Sequence, residues 1–162
     1  MIKSRFGLLN DSLEPCKAIS LLDNESKKFP EKLVCPKLEF MLLNNCVVQG
    51  LCFQGMQELK VLSLRGEVSG RPISLYHLKF VRNLRSLHLE YFEDLSFLGN
   101  LRTLEVFSWR GSGSEGLADE LRKLENLKML DLAYSRFSDG FVEISYKFVM
   151  LIVRQLVSFY IS

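Results

Sequence analysis

The sequence contains few histidines and cysteines, and this scarcity excludes several classes of protein. It contains only two histidines, His77 and His88. Neither has the set of cysteine or acidic partners that a catalytic triad or a zinc site needs; His88 lies beside Glu90 on the outer face of a predicted strand, which favours a solvated pair over a proton shuttle. The four cysteines are separated by 19, 11 and 6 positions and include no Cys-x-x-Cys pair, so they match no zinc template. We therefore expect reduced thiols, no bound metal, no cofactor and no catalytic centre.

A strong net charge and a long apolar run are also missing. Lys and Arg total 21 against 19 Asp and Glu, so no overall field favours nucleic acid or an anionic membrane. The first residues lack the apolar segment and cleavage site of a secretory signal. The most apolar stretch, 148–162, contains Arg154 and is shorter than the roughly 20 apolar residues of a transmembrane helix. We expect a cytoplasmic protein that binds neither nucleic acid nor membrane.

What is present is a leucine pattern that recurs along the chain. The template L-x-x-L-x-L-x-x-N/C fits six segments, some of them approximately, with spacings of 22, 21, 25, 20 and 23 residues. These spacings lie within the range of roughly 20 to 29 residues that leucine-rich repeats show. The six segments are CKAISLLDN, LEFMLLNNC, LKVLSLRGE, LRSLHLEYF, LEVFSWRGS and LKMLDLAYS.

Each segment predicts one short strand with two different faces. Within x-L-x-L-x the leucines point inward and the intervening residues face solvent, because side chains alternate along a strand. Between segments, apolar residues three or four apart, as at 75–81, 95–101 and 117–124, predict short helices or 3₁₀ turns. The predicted fold is an α/β leucine-rich-repeat solenoid. Its short parallel strands would lie on the concave face, with irregular loops, 3₁₀ turns and short helices on the convex face.

The pattern divides the chain into two regions. Residues 1–140 are predicted to form the array of about six repeats. Residues 141–162 form a divergent apolar tail. A seventh, degenerate repeat is an alternative interpretation of this tail, because Phe148, Leu151 and Val153 keep the spacing of the pattern.

The solvent-facing strand positions form a candidate protein-binding surface. They mix apolar residues with isolated charges of both signs, which suits a protein partner better than a polyanion. The alternative is that they are only the solvated residues of ordinary strands. The candidate residues are Phe40, Leu42, Asn44, Ser63, Arg65, Ser86, His88, Glu90, Ser108, Arg110, Met129 and Asp131.

The phrases around the strands carry more information than leucine spacing alone. They include KAISLLDNESKKFPEKLVCPKLEFMLLNNC, FQGMQELKVLSLRG, PISLYHLKFVRNLRSLHLE, LGNLRTLEVFSWRGS and LADELRKLENLKMLDLAYS. Together they resemble the leucine-rich-repeat region of plant disease resistance proteins, the intracellular nucleotide-binding immune receptors, in their coiled-coil branch. The resemblance covers about residues 16–138. No G-x-x-x-x-G-K-[ST] motif occurs, so the nucleotide site of that family is not carried over.

The resemblance implies a non-catalytic recognition module that acts in plant defence. Its partner would be a pathogen effector, a host protein that the receptor guards, or the nucleotide-binding switch domain of the receptor. The chain would then be a partial or truncated receptor. A generic leucine-rich-repeat adaptor or regulatory scaffold of the same fold is the alternative, because fold alone does not define function.

A glycine motif offers a third interpretation. Gly111, Gly113 and Gly116 in GSGSEG spell G-x-G-x-x-G, and Asp131 follows Gly111 by twenty positions. This spacing is typical of a dinucleotide-binding enzyme. However, the strands on both sides are in phase with copies that lack these glycines, and segment 117–124 is shorter than a usual crossover helix. We therefore favour the repeat over a nucleotide site, and expect Trp109, at the third leucine position, to lie in the core.

Overall fold

The computed structural model describes residues 14–21, 33, 35–44, 53–66, 75–111 and 116–132. Six strands form one parallel sheet, and their order in space is their order in the chain. Each strand coincides with the central part of one copy of the leucine pattern. The strands are β1 (Ala18–Leu21), β2 (Phe40–Leu43), β3 (Val61–Arg65), β4 (Ser86–Glu90), β5 (Val106–Arg110) and β6 (Met129–Asp131).

Short helices connect three of the neighbouring strand pairs, where the apolar spacing predicts them. The 3₁₀ helix η1 (Tyr76–Phe80) follows β3, the 3₁₀ helix η2 (Leu98–Asn100) follows β4, and α1 (Leu117–Arg122) follows β5. Each carries a buried leucine: Leu78, Leu98 and Leu121 respectively. The described part of the chain is therefore an α/β structure with one parallel sheet and few helices.

The leucine positions of neighbouring copies lie side by side in the sheet. Leu62 pairs with Leu87 in register, and Leu87 pairs in turn with Phe107. All three side chains are fully buried and share one core with the apolar residues of the helices. Burial stabilises the fold by about 1.5–3 kcal/mol for each such side chain. The core therefore depends on contacts between copies, and no copy has a core of its own.

Trp109 occupies the third leucine position of the fifth copy, and its predicted place in the core is confirmed. Its ring is completely buried, and its Nε1 donates a hydrogen bond of 2.9 Å to the carbonyl oxygen of Phe92. Gly111 makes room for the ring, since a Cβ added there would lie 2.7 Å from Cζ2 of Trp109. The bulky residue is thus accommodated by a neighbour that has no side chain.

A ladder of side-chain hydrogen bonds joins the turns of consecutive copies. In each case the donor is the residue directly before the first leucine of its copy, and the acceptor is a carbonyl oxygen in the preceding copy. These bonds satisfy backbone acceptors that lie outside the sheet. The three bonds are Asn83 Nδ2 to Gln57 O at 2.8 Å, Thr103 Oγ1 to Arg82 O at 2.7 Å and Asn126 Nδ2 to Arg102 O at 2.7 Å.

Several sequence predictions lie outside the described residues. They are the apolar tail 141–162, with its alternative seventh repeat, the end of the predicted array at 133–140, Gly113 of the glycine motif, and the thiols Cys46 and Cys52. Among the helices that the structure does describe, none has the length and apolar character needed to cross a membrane.

Candidate functional site

One side of the sheet is not covered by the helices. The leucines of the strands and the apolar residues of η1, η2 and α1 share one core, so the helices lie against the inward side of the sheet. The intervening strand residues therefore project from the opposite side. We call that side the open face. Its members are the twelve candidate residues given above, together with Val61 and Val106.

The parallel register arranges the open face into three rows that run across the strands. The first row is mainly apolar, the second combines two serines with a leucine, a histidine and an aspartate, and the third is charged. The register thus converts one position of the sequence pattern into one line on the surface. The rows are Phe40, Val61, Ser86, Val106 and Met129; then Leu42, Ser63, His88, Ser108 and Asp131; then Arg65, Glu90 and Arg110, with Asn44 directly after β2.

Apolar side chains are exposed near both ends of the open face. Phe40 and Leu42 on β2 are 44% and 39% exposed, and Met129 on β6 is 50% exposed. Exposed apolar side chains at fixed positions of a sheet are typical of contact surfaces when they lie beside polar anchors.

The three middle strands of the open face carry, near their carboxyl ends, a cluster of four ionisable side chains, Arg65, His88, Glu90 and Arg110, which we call the Glu90 cluster. The carboxylate of Glu90 accepts a hydrogen bond of 3.1 Å from Nη1 of Arg110. His88 Nε2 lies 3.1 Å from the same oxygen, Oε1. The other oxygen, Oε2, lies 3.4 Å from Nε of Arg65. Strands β3, β4 and β5 each contribute to this cluster, so it exists only when they are paired.

Glu90 corrects one expectation from the sequence. Alternation along β4 predicts a solvent-facing residue, but Glu90 is only 9% exposed and counts among the buried residues. A carboxylate loses hydration when it is buried and must regain that energy from paired charges. The guanidinium groups of Arg65 and Arg110 supply it, and both approach from neighbouring strands. The expectation failed because it considered one strand without its neighbours.

The glycines of GSGSEG that the structure describes have local roles. Gly111 leaves room for Trp109, and Gly116 has a φ of 75°, a left-handed conformation that glycine adopts easily, directly before α1. Asp131, the acidic residue at dinucleotide-like spacing, accepts a hydrogen bond of 3.1 Å from Ser108. Dinucleotides bind where the strand order of a doubly wound sheet reverses, and the order of the six described strands does not reverse.

A second set of charged residues escaped the sequence analysis. The residue directly before every strand is charged, and these six residues, which we call the edge row, lie on consecutive strands. Ion pairs link neighbours in two groups of three, each with a carboxylate between two cations. The groups are Lys17–Glu39–Lys60, at 3.3 and 2.6 Å, and Arg85–Glu105–Lys128, at 2.5 and 2.8 Å.

The ion pairs of the edge row lower the pKa of both carboxyl groups. For Glu39, the hydrogen bond from Lys60 is the main cause and the bond from Lys17 the next. For Glu105, the hydrogen bond from Lys128 contributes most, and Arg85 adds to it. Both carboxylates are therefore held in their charged form, which ties each to the strands on its two sides. The sequence signal for the edge row was a charged residue, of either sign, directly before each strand.

Cysteine chemistry is limited in the described part of the chain. Cys16 and Cys35 are both free thiols, as the sequence predicts, and Cys16 donates to the carbonyl oxygen of Ala18 at 3.2 Å. Burial raises the pKa of Cys35 to about 11. Its thiol therefore stays protonated and unreactive at neutral pH. Cys46 and Cys52 lie outside the described residues.

A shallow cavity of about 550 Å³ lies among the turns that precede β3 and β4. It shares no residue with the open face. Nothing in its lining concentrates charge of one sign or groups side chains that could hold a metal ion. Its lining residues are Gln54, Gly55, Gln57, Phe80, Arg82 and Asn83.

No model of a protein family matches the sequence, and no curated protein matches it either.

Proposed function

We propose that the chain is a leucine-rich-repeat solenoid that recognises a protein partner through the open face and performs no chemistry. The observation that carries this proposal is the arrangement of the six copies. Consecutive copies contribute neighbouring strands in register, so equivalent positions line up on one uncovered face. Repeat proteins of this kind use such extended surfaces for binding.

The composition of the open face supports a protein as the partner. Exposed apolar side chains at Phe40, Leu42 and Met129 lie on both sides of the Glu90 cluster. Protein interfaces combine apolar contacts with a few anchoring residues, among which arginine is enriched and lysine depleted. Among its described residues, the open face carries two arginines and no lysine.

The resemblance in the sequence narrows the class of partner. A module of the plant disease resistance type would act in the cytoplasm in a defence response. It would bind a pathogen effector, a guarded host protein or the nucleotide-binding switch domain of its receptor. A generic adaptor or scaffold is the second candidate, favoured by the lack of a P-loop motif in these 162 residues. A nucleotide-binding domain encoded upstream in the same gene would favour the first.

The test compares the two sides of the molecule in a capture experiment from plant leaf extract, read by quantitative mass spectrometry. The open-face variant is Leu42→Ser with Met129→Ser. The control is Tyr76→Ser with Phe80→Ser, which removes exposed apolar side chains of η1 on the other side of the sheet. Apolar side chains contribute about 1.5–3 kcal/mol each when fully buried. We therefore expect the amount of partner recovered with the open-face variant to fall roughly tenfold or more.

The control variant should retain that partner at the wild-type level. Equal recovery with the wild type and the open-face variant would contradict the proposal, and so would loss of every captured protein in the η1 variant alone. Circular dichroism of each variant establishes that the sheet is intact before its capture is compared.

A further inference from the structure

Building on the proposed function, we infer that the partner presents an acidic side chain to the open face, and that this carboxylate binds between Arg65 and Arg110. The Glu90 cluster is the feature that leads to this inference. It defines the chemistry of the partner segment: a carboxylate of Asp or Glu, carried beside apolar residues that contact the exposed side chains of the same face.

The two arginines converge on one point although their strands are not adjacent. Arg65 is on β3 and Arg110 on β5, and Glu90 on β4 is the register partner of both. Neighbouring strands lie about 4.8 Å apart, so the backbones of β3 and β5 are separated by about twice that distance. The guanidinium groups nevertheless reach the two oxygens of the same carboxylate, at 3.4 and 3.1 Å. Both cationic groups are therefore held close together.

The charges of the cluster do not balance. Two guanidinium groups share the single charge of Glu90, so Arg65, Glu90 and Arg110 together carry one positive charge in excess, although Asp131 brings the described charges of the whole open face to zero. The arginine side chains are 40% and 43% exposed, whereas that of Glu90 is 11% exposed. A carboxylate from outside therefore meets the cations and not the anion. Guanidinium groups bind carboxylates through charge-assisted hydrogen bonds, and partial burial strengthens the attraction.

Tyr91 holds one of the arginines in position. The backbone φ of Tyr91 is 63°, the one positive value among the described residues other than glycine. Its amide nitrogen donates a hydrogen bond of 2.8 Å to the carbonyl oxygen of Arg110. The ring of Tyr91 is half-exposed, and its centroid lies 5.5 Å from the guanidinium carbon of Arg65. This cation–π contact restricts Arg65, so less freedom is lost when a ligand binds. Tyr and Arg are also the residue types enriched in binding hot spots.

The charge nearest to the cluster is that of its own exposed guanidinium groups. The edge row lies at the opposite, amino-terminal ends of the strands, about 16 Å away over five residues, where salt screens exposed charges. On the open face itself, the acidic residue besides Glu90 is Asp131, one strand beyond Arg110 on β6 and hydrogen-bonded to Ser108. An acidic segment is therefore attracted to β3, β4 and β5, and a basic segment finds no comparable partner there.

The test observes the arginines directly. Arginine Nε–Hε resonances of the ¹⁵N-labelled chain are recorded while hexaglutamate is added, and hexaglutamine serves as the uncharged probe. Arg65→Gln and Arg110→Gln assign the two signals. Hexaglutamate should shift the resonances of Arg65 and Arg110 more than those of Arg102 and Arg122, two exposed arginines away from the open face that already contact carboxylates. Equal shifts for all four, or no shift for the open-face pair, would overturn the inference.

A second measurement separates this inference from the proposed function. The capture experiment is repeated at low ionic strength with Arg65→Gln and Arg110→Gln combined, and Arg102→Gln with Arg122→Gln provides the same loss of charge elsewhere. We expect the open-face pair to reduce recovery of the partner at least tenfold, and the control pair less than twofold. A partner that is lost with Leu42→Ser and Met129→Ser but retained without the arginines would refute acid recognition and leave the proposed function standing.

Discussion

Leu62 and Ser63 are neighbours on β3 that point to opposite sides of the sheet. Leu62 is fully buried, whereas Ser63 is half-buried on the open face. We predict that Leu62→Asp destabilises the fold by more than about 4 kcal/mol, because it leaves an unpaired charge in the core, and makes the chain insoluble. Ser63→Asp should leave the yield and the thermal transition close to wild type. The measurement is soluble yield with circular dichroism, and a soluble, folded Leu62→Asp protein would refute the assigned register.

Gly111 and Trp109 test the packing of the fifth copy. An added Cβ at Gly111 would lie 2.7 Å from Cζ2 and 2.9 Å from Cε2 of the Trp109 ring. Gly111→Ala should therefore destabilise the protein by about 1–3 kcal/mol, the usual effect of overpacking. In a Trp109→Phe background the same change should cost less, because the clashing part of the ring is gone. Thermal denaturation of all four proteins gives the coupling, and additive effects would contradict this account of the glycine.

At the scale of single residues, the sequence predicts a core position more securely than a charged one. The burial of Leu62 and Trp109 follows from the leucine pattern, since every copy repeats the same requirement. The burial of Glu90 does not, because it depends on Arg65 in the third copy and Arg110 in the fifth. Only the pairing of β3, β4 and β5 brings these residues together. The alternation within each single strand does not reveal which residues of the neighbouring strands lie beside it.

At the scale of the strands, the edge row makes the free energy of unfolding depend on pH. The pKa of Glu105 is lowered in the folded state, so its ion pairs stabilise the fold above the unfolded pKa, and this contribution is lost as the pH falls through the lower, folded pKa. We predict that Glu105→Gln is less stable than wild type near pH 7, and that the difference shrinks below about pH 4. Denaturant unfolding at several pH values measures it.

Glu125→Gln is the control for this prediction. Glu125 is well exposed, and its oxygen lies 3.7 Å from Arg102, a surface pair that contributes little to stability. Its variant should follow the wild type at every pH. If the stability difference of Glu105→Gln stayed constant from neutral to acidic pH, the ion pairs of Glu105 would not be its cause.

The elements themselves were predictable, and the reason is physical. Alternation places two inward residues in each of β1 to β5 and one, Leu130, in β6. The three- or four-residue apolar spacing predicts the short helices η1, η2 and α1 that follow β3, β4 and β5. The edge row was visible in the sequence too, as a charged residue before each strand. It was missed because the leucine template records apolar positions alone. The ladder through Asn83, Thr103 and Asn126 was missed for the same reason.

At the scale of the whole molecule, the stability of a stack resides in contacts between neighbouring copies. The six-stranded sheet contains five such interfaces, each with paired strands, stacked inward side chains and backbone bonds between the residues that precede the strands. The same stacking sets the function that we propose. A partner that spans several copies would contact one continuous surface, and a packing defect between any two copies would interrupt that surface.

Side-chain footprinting tests the central claim most directly, because it shows which face a partner covers. Phe40 on the open face and Phe80 on η1 are matched, at 44% and 45% exposed, and Met129 and Tyr76 form a second pair at 50% and 52%. Hydroxyl-radical oxidation of the chain is compared before and after the captured partner is added. Protection of Phe40 and Met129, with Phe80 and Tyr76 oxidised as before, is the predicted result. Protection of Phe80 and Tyr76, with Phe40 and Met129 unchanged, would contradict recognition through the open face.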